Sequence, residues 1–258
     1  MNNIDTIVNQ LSNEIYHQDL TIKPSYYDDL NKIFAEQDLP KLLRHEIIKK
    51  NDRSIPLFLS VVKEYFKSLD HKSLAILCSG SGLLSEEIYS EYFSDLLEID
   101  HFDKSEAMLK NSLFANQKYS VDLSKPLNLE KKYDLVLAHG CLRYFSNCLL
   151  EFGENITRIL STSGCFILGE VDIQLVSNIS QILGQFNLEI KLDIKKGKVF
   201  RNTLFYALML KYKSDSVFRN LVLAKANLNK SSEEIIIELA GFKEVDYSYC
   251  IARYSNPI

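Results

Sequence analysis

The sequence predicts an α/β fold, a mostly parallel sheet with helices on both faces. Three observations carry this. Strand-like runs near 73–78, 95–102, 118–121, 133–138 and 165–170 alternate with helix-like stretches near 83–93, 104–114 and 148–160, an alternation that builds parallel sheets with right-handed crossovers. A glycine turn, Gly80-Ser81-Gly82, directly follows the first run. Gly80, Asp103, Asp122 and His139 all fall at strand ends, the carboxyl edge at which such sheets bind ligands.

Taken in chain order, residues 1–70 read as helical and polar-rich, and Pro24, Pro40 and Pro56 divide them. From Leu57 to Phe66, apolar residues recur at helical spacing; this segment reads as cover for the sheet in preference to a ligand contact. Tyr26-Tyr27 precede a candidate helix from Asp28 to Glu36. Next comes Ala75-Ile76-Leu77-Cys78-Ser79-Gly80-Ser81-Gly82, then the helix-like Leu83 to Ile88, then Asp103 at the end of a second apolar run. Glycines there let the backbone approach a ligand, and the helix N-terminus faces it. Asp103 lies 21 residues after Gly82, a spacing suited to a carboxylate that holds the ribose of a nucleotide-like ligand.

Residues 171–230 are less clear. Leu188 to Ile194 alternates strictly and reads as a half-buried strand. Lys195-Lys196-Gly197-Lys198 reads as a turn, and Val199 to Tyr206 as a return. The region is either a cap inserted after the fifth strand or the sixth and seventh strands of the main sheet; the insertion is preferred. Ser232 to Ala240 has an acidic first turn and ends at Gly241, as a capped helix does, and Lys243 to Ser248 follows as a strand. The lysines at 191, 195, 196 and 198 read as a solvated face.

Composition narrows the function classes. The chain has 258 residues, 46% hydrophobic and 25% charged, with a net charge of −4, ordinary for one globular domain with an insertion or two closely packed lobes. No basic field recruits nucleic acid. The apolar runs fall short of the roughly 18–20 residues that span a bilayer, and the first residues lack a secretory-signal pattern. The five cysteines, Cys78, Cys141, Cys148, Cys165 and Cys250, are odd in number and form no C-x-x-C pair. They read as reduced thiols in a cytoplasmic protein, without a disulfide framework or zinc site. The five histidines are scattered, so no metal is expected.

Asp103, Ser105, Met108 and Leu109 form D-x-S-x-x-M-L, which resembles the second-strand motif of the class I S-adenosylmethionine-dependent methyltransferases. Val121-Asp122-Leu123 is similar to that family's adenine loop, and Tyr133 to His139 to its fourth strand. Ile156 to Leu160 with Ser163 to Leu168 resembles its following helix, turn and fifth strand. The likeness covers about residues 55–170 and Glu233 to Val245. It implies a Rossmann-like seven-stranded, mostly parallel sheet, with N-terminal helices (1–70) as a lid, a cofactor core (71–170), an inserted cap (171–230) and a closing helix and strand (231–258). It implies that S-adenosylmethionine binds Cys78, Ser79, Gly80, Gly82, Asp103, Lys104, Met108, Val121, Asp122, Leu123 and His139. One departure matters: Ile76 stands where the first motif carries an acid, and Cys78 where it carries its first glycine.

Methyl transfer needs chiefly orientation and exclusion of water. His139, following the fourth strand, either takes a proton from a hydroxyl or amine as a neutral imidazole or packs against the cofactor. Arg143, Tyr144 and Glu170 are further candidates near the acceptor. The expectation is a cytoplasmic biosynthetic methyltransferase with a small-molecule acceptor and no membrane or nucleic-acid partner. Residues 171–230 either select that acceptor or make a homodimer contact. Two rival readings use the same fold: a cyclase-like or non-catalytic binding protein, kept open by Ile76, and an NAD-binding domain. The second is disfavoured because Ser85 stands at the third glycine of a G-x-G-x-x-G.

Overall fold

The computed structural model describes residues 4–17, 46–66, 73–80, 82–92, 98–226 and 229–254. The candidate helix from Asp28 to Glu36, the Tyr26-Tyr27 pair, Pro24, Pro40, Ser81 and the expected start of the second strand near 95 lie outside the described residues.

Seven strands form one sheet in the order β3-β2-β1-β4-β5-β7-β6. They are β1 (Ser73–Leu77), β2 (Glu98–Asp103), β3 (Gln117–Ser120), β4 (Tyr133–His139), β5 (Leu160–Glu170), β6 (Leu188–Phe200) and β7 (Phe242–Tyr254). β1 to β5 pair in parallel; β7 runs antiparallel to both β5 and β6. The order of strands reverses beside β1, which places the crevice for a ligand beyond the carboxyl ends of β1, β2 and β4.

Strand alternation divides the core into two faces. Ala75, Leu77, Val136, Ala138, Phe166 and Leu168 point to one side, covered by α6 (Leu149–Ile159) and α7 (Ile173–Gln185). Leu74, Ile76, Leu135, Leu137 and Ile167 point to the other, covered by α3 (Ser54–Phe66) and α4 (Leu83–Tyr92). α3 is thus sheet cover, the role its spacing predicts. Between β2 and β3 lies the short α5 (Glu106–Asn111), whose N-cap Ser105 accepts a hydrogen bond from the Met108 N–H.

A third cluster joins α1 (Ile4–His17), α2 (Glu46–Asn51), α8 (Asn202–Ser214), α9 (Ser216–Lys225) and α10 (Ser232–Ala240) around Phe205, Leu208, Phe218, Val222 and Ile236. Its location follows from register. Glu170 ends β5 opposite Ser248 of β7, so Phe242 to Tyr247 and their partners in β6 project past the carboxyl edge. The cluster hangs from this two-stranded ribbon through Phe200 and Phe242.

The region expected as an insertion is therefore divided. α7 and β6 belong to the sheet layers, and among the described residues only α8 and α9 stand between β6 and α10. The turn at Lys195 to Lys198 and the return strand from Val199 do not form: β6 runs unbroken to Phe200, paired residue for residue with β7, and a helix starts at Asn202. The last strand is also longer than Lys243 to Ser248, because its whole length finds a partner.

Candidate active site

The turn after β1 builds the first half of the site. Cys78, Gly80 and Gly82 all have positive φ, at 52°, 54° and 81°. Gly80 pays no steric penalty there, whereas Cys78 adopts a conformation that side chains disfavour by roughly 1–2 kcal/mol. Gly82 is packed closely: a Cβ on it would lie 3.1 Å from Ser112 Cβ and 3.2 Å from His101 Cε1. The Ser79 N–H donates to the Phe102 carbonyl at 3.1 Å, tying the turn to β2.

Asp103 closes this half. Its Oδ2 accepts from the Gly80 N–H at 2.8 Å and its Oδ1 from the Ser105 N–H at 2.9 Å. The half-buried carboxylate is thus fixed between the glycine turn and α5. Its backbone carbonyl accepts from the Val121 N–H at 2.9 Å. Met108 is buried, and its Cε would lie 3.9 Å from a Cβ on Gly80. Gly80, Asp103, Met108 and Val121 are thereby brought together.

Asp122 forms a second acidic group. Its Oδ2 pairs with Lys104 Nζ at 2.7 Å, and its Oδ1 accepts from Ser124 Oγ at 2.6 Å and Ser124 N at 3.1 Å. Burial opposes ionisation here, but Lys104 and Ser124 outweigh it and hold the carboxyl below its usual range. Leu123 turns away into the core, 3% exposed, where Asn155 Nδ2 donates to its carbonyl.

The two residues at which the turn departs from the motif it resembles acquire a location. Ile76 is 2% exposed and packs in the same apolar cluster as Phe58, Leu84 and Leu137. It is a core residue of the α3 face. Cys78 is held beside Cys141, and that contact, with burial and the nearby Asp103 charge, pushes its thiol well up.

His139 ends β4, half-buried, with its neighbour Ala138 in register with Leu77. Its Nε2 lies 2.9 Å from the Tyr247 hydroxyl, and its ring stacks on that tyrosine at 5.5 Å. Phe58 of α3 meets it edge-on at 5.0 Å. Burial pushes the imidazole down to about 4, against the pull of Asp52 and a hydrogen bond to the Ser54 backbone. The ring is neutral at pH 7.

Glu170 is 1% exposed. Its oxygens accept from the Leu142 N–H at 3.1 Å and the Val171 N–H at 2.8 Å. It ties β5 to the short 3₁₀ helix Leu142–Phe145 that carries Arg143 and Tyr144. Burial raises its carboxyl pKa, with Arg143 opposing.

Sequence reasoning missed Tyr247, Phe58 and Gly169. The Tyr247-x-Tyr249 alternation signals that both rings share one face. Gly169 carries no signal by itself, yet a Cβ there would lie 2.7 Å from Phe58 Cδ2 and 2.8 Å from Tyr247 Cε1. Its missing side chain is the space that both rings occupy.

No protein-family model and no curated protein matches the chain. Solved structures do. The plantazolicin methyltransferase BpumL in complex with SAH is similar over 98% of this chain and 99% of its own, with a TM-score of 0.52 and 14% identity. The phosphoethanolamine N-methyltransferase 2 of Haemonchus contortus, in complex with phosphomonomethylethanolamine and S-adenosylhomocysteine, is similar over 80% of this chain, with a TM-score of 0.52 and 13% identity. The chain spans 54% of that enzyme's length. At such identities the likeness defines the fold: this chain has the Rossmann-like fold of the class I methyltransferases, with a seven-stranded, mostly parallel sheet.

Proposed function

We propose that this protein is an S-adenosylmethionine-dependent methyltransferase acting on a small-molecule acceptor in the cytoplasm. The observation that carries this reading is the Asp103 carboxylate, fixed by the Gly80 and Ser105 N–H groups at the carboxyl edge. A carboxylate so held meets ribose hydroxyls. The local chemistry fits a nucleoside in a further respect: Ser79 Oγ, in the same turn, is buried with no hydrogen-bond partner. Asp122 and Val121 suit the adenine end. The bound cofactor supplies an activated methyl group on a sulfonium centre.

The chain's residues do the remainder. Asp103 and the glycine turn bind and orient. Met108 and the Phe58 face exclude water. Glu170 holds the loop after β4, and His139 presents its neutral ring to the acceptor. As a base it is weak, since a group with a pKa near 4 retains a proton poorly at pH 7; an orienting role for His139 suits this environment better. α8 and α9, suspended by the β6–β7 ribbon, would select the acceptor.

Calorimetry with S-adenosylmethionine and S-adenosylhomocysteine tests the reading. Binding of both, weakened alike by Asp122→Ala, is expected, because adenine is common to both. Binding of neither overturns it. A second reading, a cyclase-like or non-catalytic protein on the same fold, rests on Ile76: the face that receives an acid in the family is apolar here. Cofactor binding without release of S-adenosylhomocysteine across amine, hydroxyl and thiol acceptors would favour it.

A further inference from the structure

The geometry points to Tyr247 as the positioning residue for His139: its hydroxyl donates to Nε2 and leaves the Nδ1 proton to the Ser54 backbone, fixing one tautomer and one ring orientation at the carboxyl edge. The assignment rests on the proposed function for the view that His139 faces an acceptor, though not for the pairing itself.

The pairing is built from several elements. β7 supplies Tyr247, whose single hydroxyl proton has two acceptors within reach, His139 Nε2 at 2.9 Å and the Gly169 carbonyl of β5 at 3.3 Å; the assignment gives it to the nearer. That carbonyl also accepts from the Gly140 N–H at 2.8 Å, just beyond His139. Tyr247 is 2% exposed whereas His139 is half-buried, so the tyrosine backs the ring and the histidine meets the ligand side. Gly169 admits the tyrosine by lacking a side chain. The α3 side adds Phe58, edge-on to the imidazole, and the Ser54 backbone. Charged and titratable groups around the pair are Asp52 from the link between α2 and α3, Glu170 from β5, Cys141 after β4 and Tyr249 from β7.

The functional consequence is specific. An imidazole with both nitrogens engaged accepts no proton from a substrate unless the tyrosine bond breaks. His139 then acts as a fixed wall that orients the acceptor, and Tyr247 determines how the wall stands.

The test uses the full chain with nitrogen-labelled histidine, observed by NMR with and without S-adenosylhomocysteine. In the unaltered protein, His139 should show a protonated Nδ1 and an unprotonated Nε2; the opposite tautomer overturns the inference. Tyr247→Phe keeps the ring and removes only the donor. It should raise the His139 titration midpoint by about one pH unit, the scale of a single hydrogen bond, and mix the two tautomers. Tyr249→Phe is the control, since that buried hydroxyl has no partner on the same strand face. Its His139 signals should match the unaltered protein. Unmoved signals in Tyr247→Phe, or equal movement in both variants, overturn the inference. If Tyr247→Phe fails to fold, the tautomer of the unaltered protein decides. Failure of S-adenosylhomocysteine to bind sinks the proposed function and leaves the imidazole result standing, so the two failures are distinguishable.

Discussion

At the scale of single residues, Asp103 and Ile76 make opposite demands. Asp103 receives two backbone N–H groups. Asp103→Ala should weaken S-adenosylhomocysteine binding by roughly 1–3 kcal/mol, the cost of losing hydrogen bonds to a charged group; calorimetry on a folded variant with unchanged affinity would falsify its role. Ile76 invites the converse experiment, introducing the acid carried at this place by the motif the turn resembles. Its apolar neighbours are Phe58, Leu84 and Leu137, which cannot pair with a carboxylate, and its register partner on β2 is His101, whose buried imidazole resists protonation. Ile76→Asp should therefore lower unfolding stability by several kcal/mol, roughly 3 or more, while Ile76→Val should cost only about 0.5–1.5 kcal/mol. Urea denaturation of the two variants measures this. The place of Asp103, at a strand end beside the glycine turn, was legible from the apolar run before it. The burial of Ile76 on the α3 face was legible only as alternation; which helix covers that face is a matter of tertiary packing.

At the scale of elements, the parallel core was readable, and of the β6–β7 ribbon only Leu188 to Ile194 and Lys243 to Ser248 were. β1, β4 and the second half of β5 are short apolar runs, a local signal. β6 carries Lys195, Lys196, Gly197 and Lys198, which locally favour a turn. Pairing with β7 along all of β6 overrides that preference. Gly197 also has a purpose in a strand: a Cβ there would come within 2.6 Å of Leu57 Cδ1 of α3. Asp52 fastens the same junction, accepting from the Phe200 N–H at 2.9 Å and from Ser54. Two glycines thus let α3 lie against the ribbon, with different tolerances. At Gly197 the obstacle is a leucine methyl that can rotate; at Gly169 it is two rings locked against His139. Gly169→Ala should cost about 1–3 kcal/mol of stability from overpacking, and Gly197→Ala less. Thermal unfolding of both variants checks the order, and equal losses would show that α3 moves as one body.

At the scale of the whole molecule, stability should depend on pH chiefly through a buried histidine other than His139. His101 of β2 is fully buried behind the glycine turn, with Nδ1 3.0 Å from Ser112 Oγ and Nε2 without a partner. Burial, aided by Lys118 and opposed by Asp100, pushes its imidazole down to about 4. The unfolded value is about 6.5. Between those values the unfolded chain binds the proton that the folded chain refuses, so folding stability rises with pH there. Stability is fully present above about pH 6.5, declines as pH falls, and has lost this contribution by about pH 4. The full swing is roughly 3 kcal/mol. His139 shifts in the same direction but is half-buried by surface exposure, so its share is smaller. Asp122, held low, loses its contribution only in more acidic solution. His101→Gln retains a hydrogen-bonding side chain and removes the titration. Urea midpoints at pH 7, 5.5 and 4.5 should fall steeply for the unaltered protein and clearly less for the variant. Because His101 abuts Gly82, acid should also loosen the turn that fixes Asp103, and affinity for S-adenosylhomocysteine should decline over the same pH interval. Parallel slopes for the two proteins would mean that other groups govern the acid response, and that the glycine turn is insulated from the imidazole beneath it.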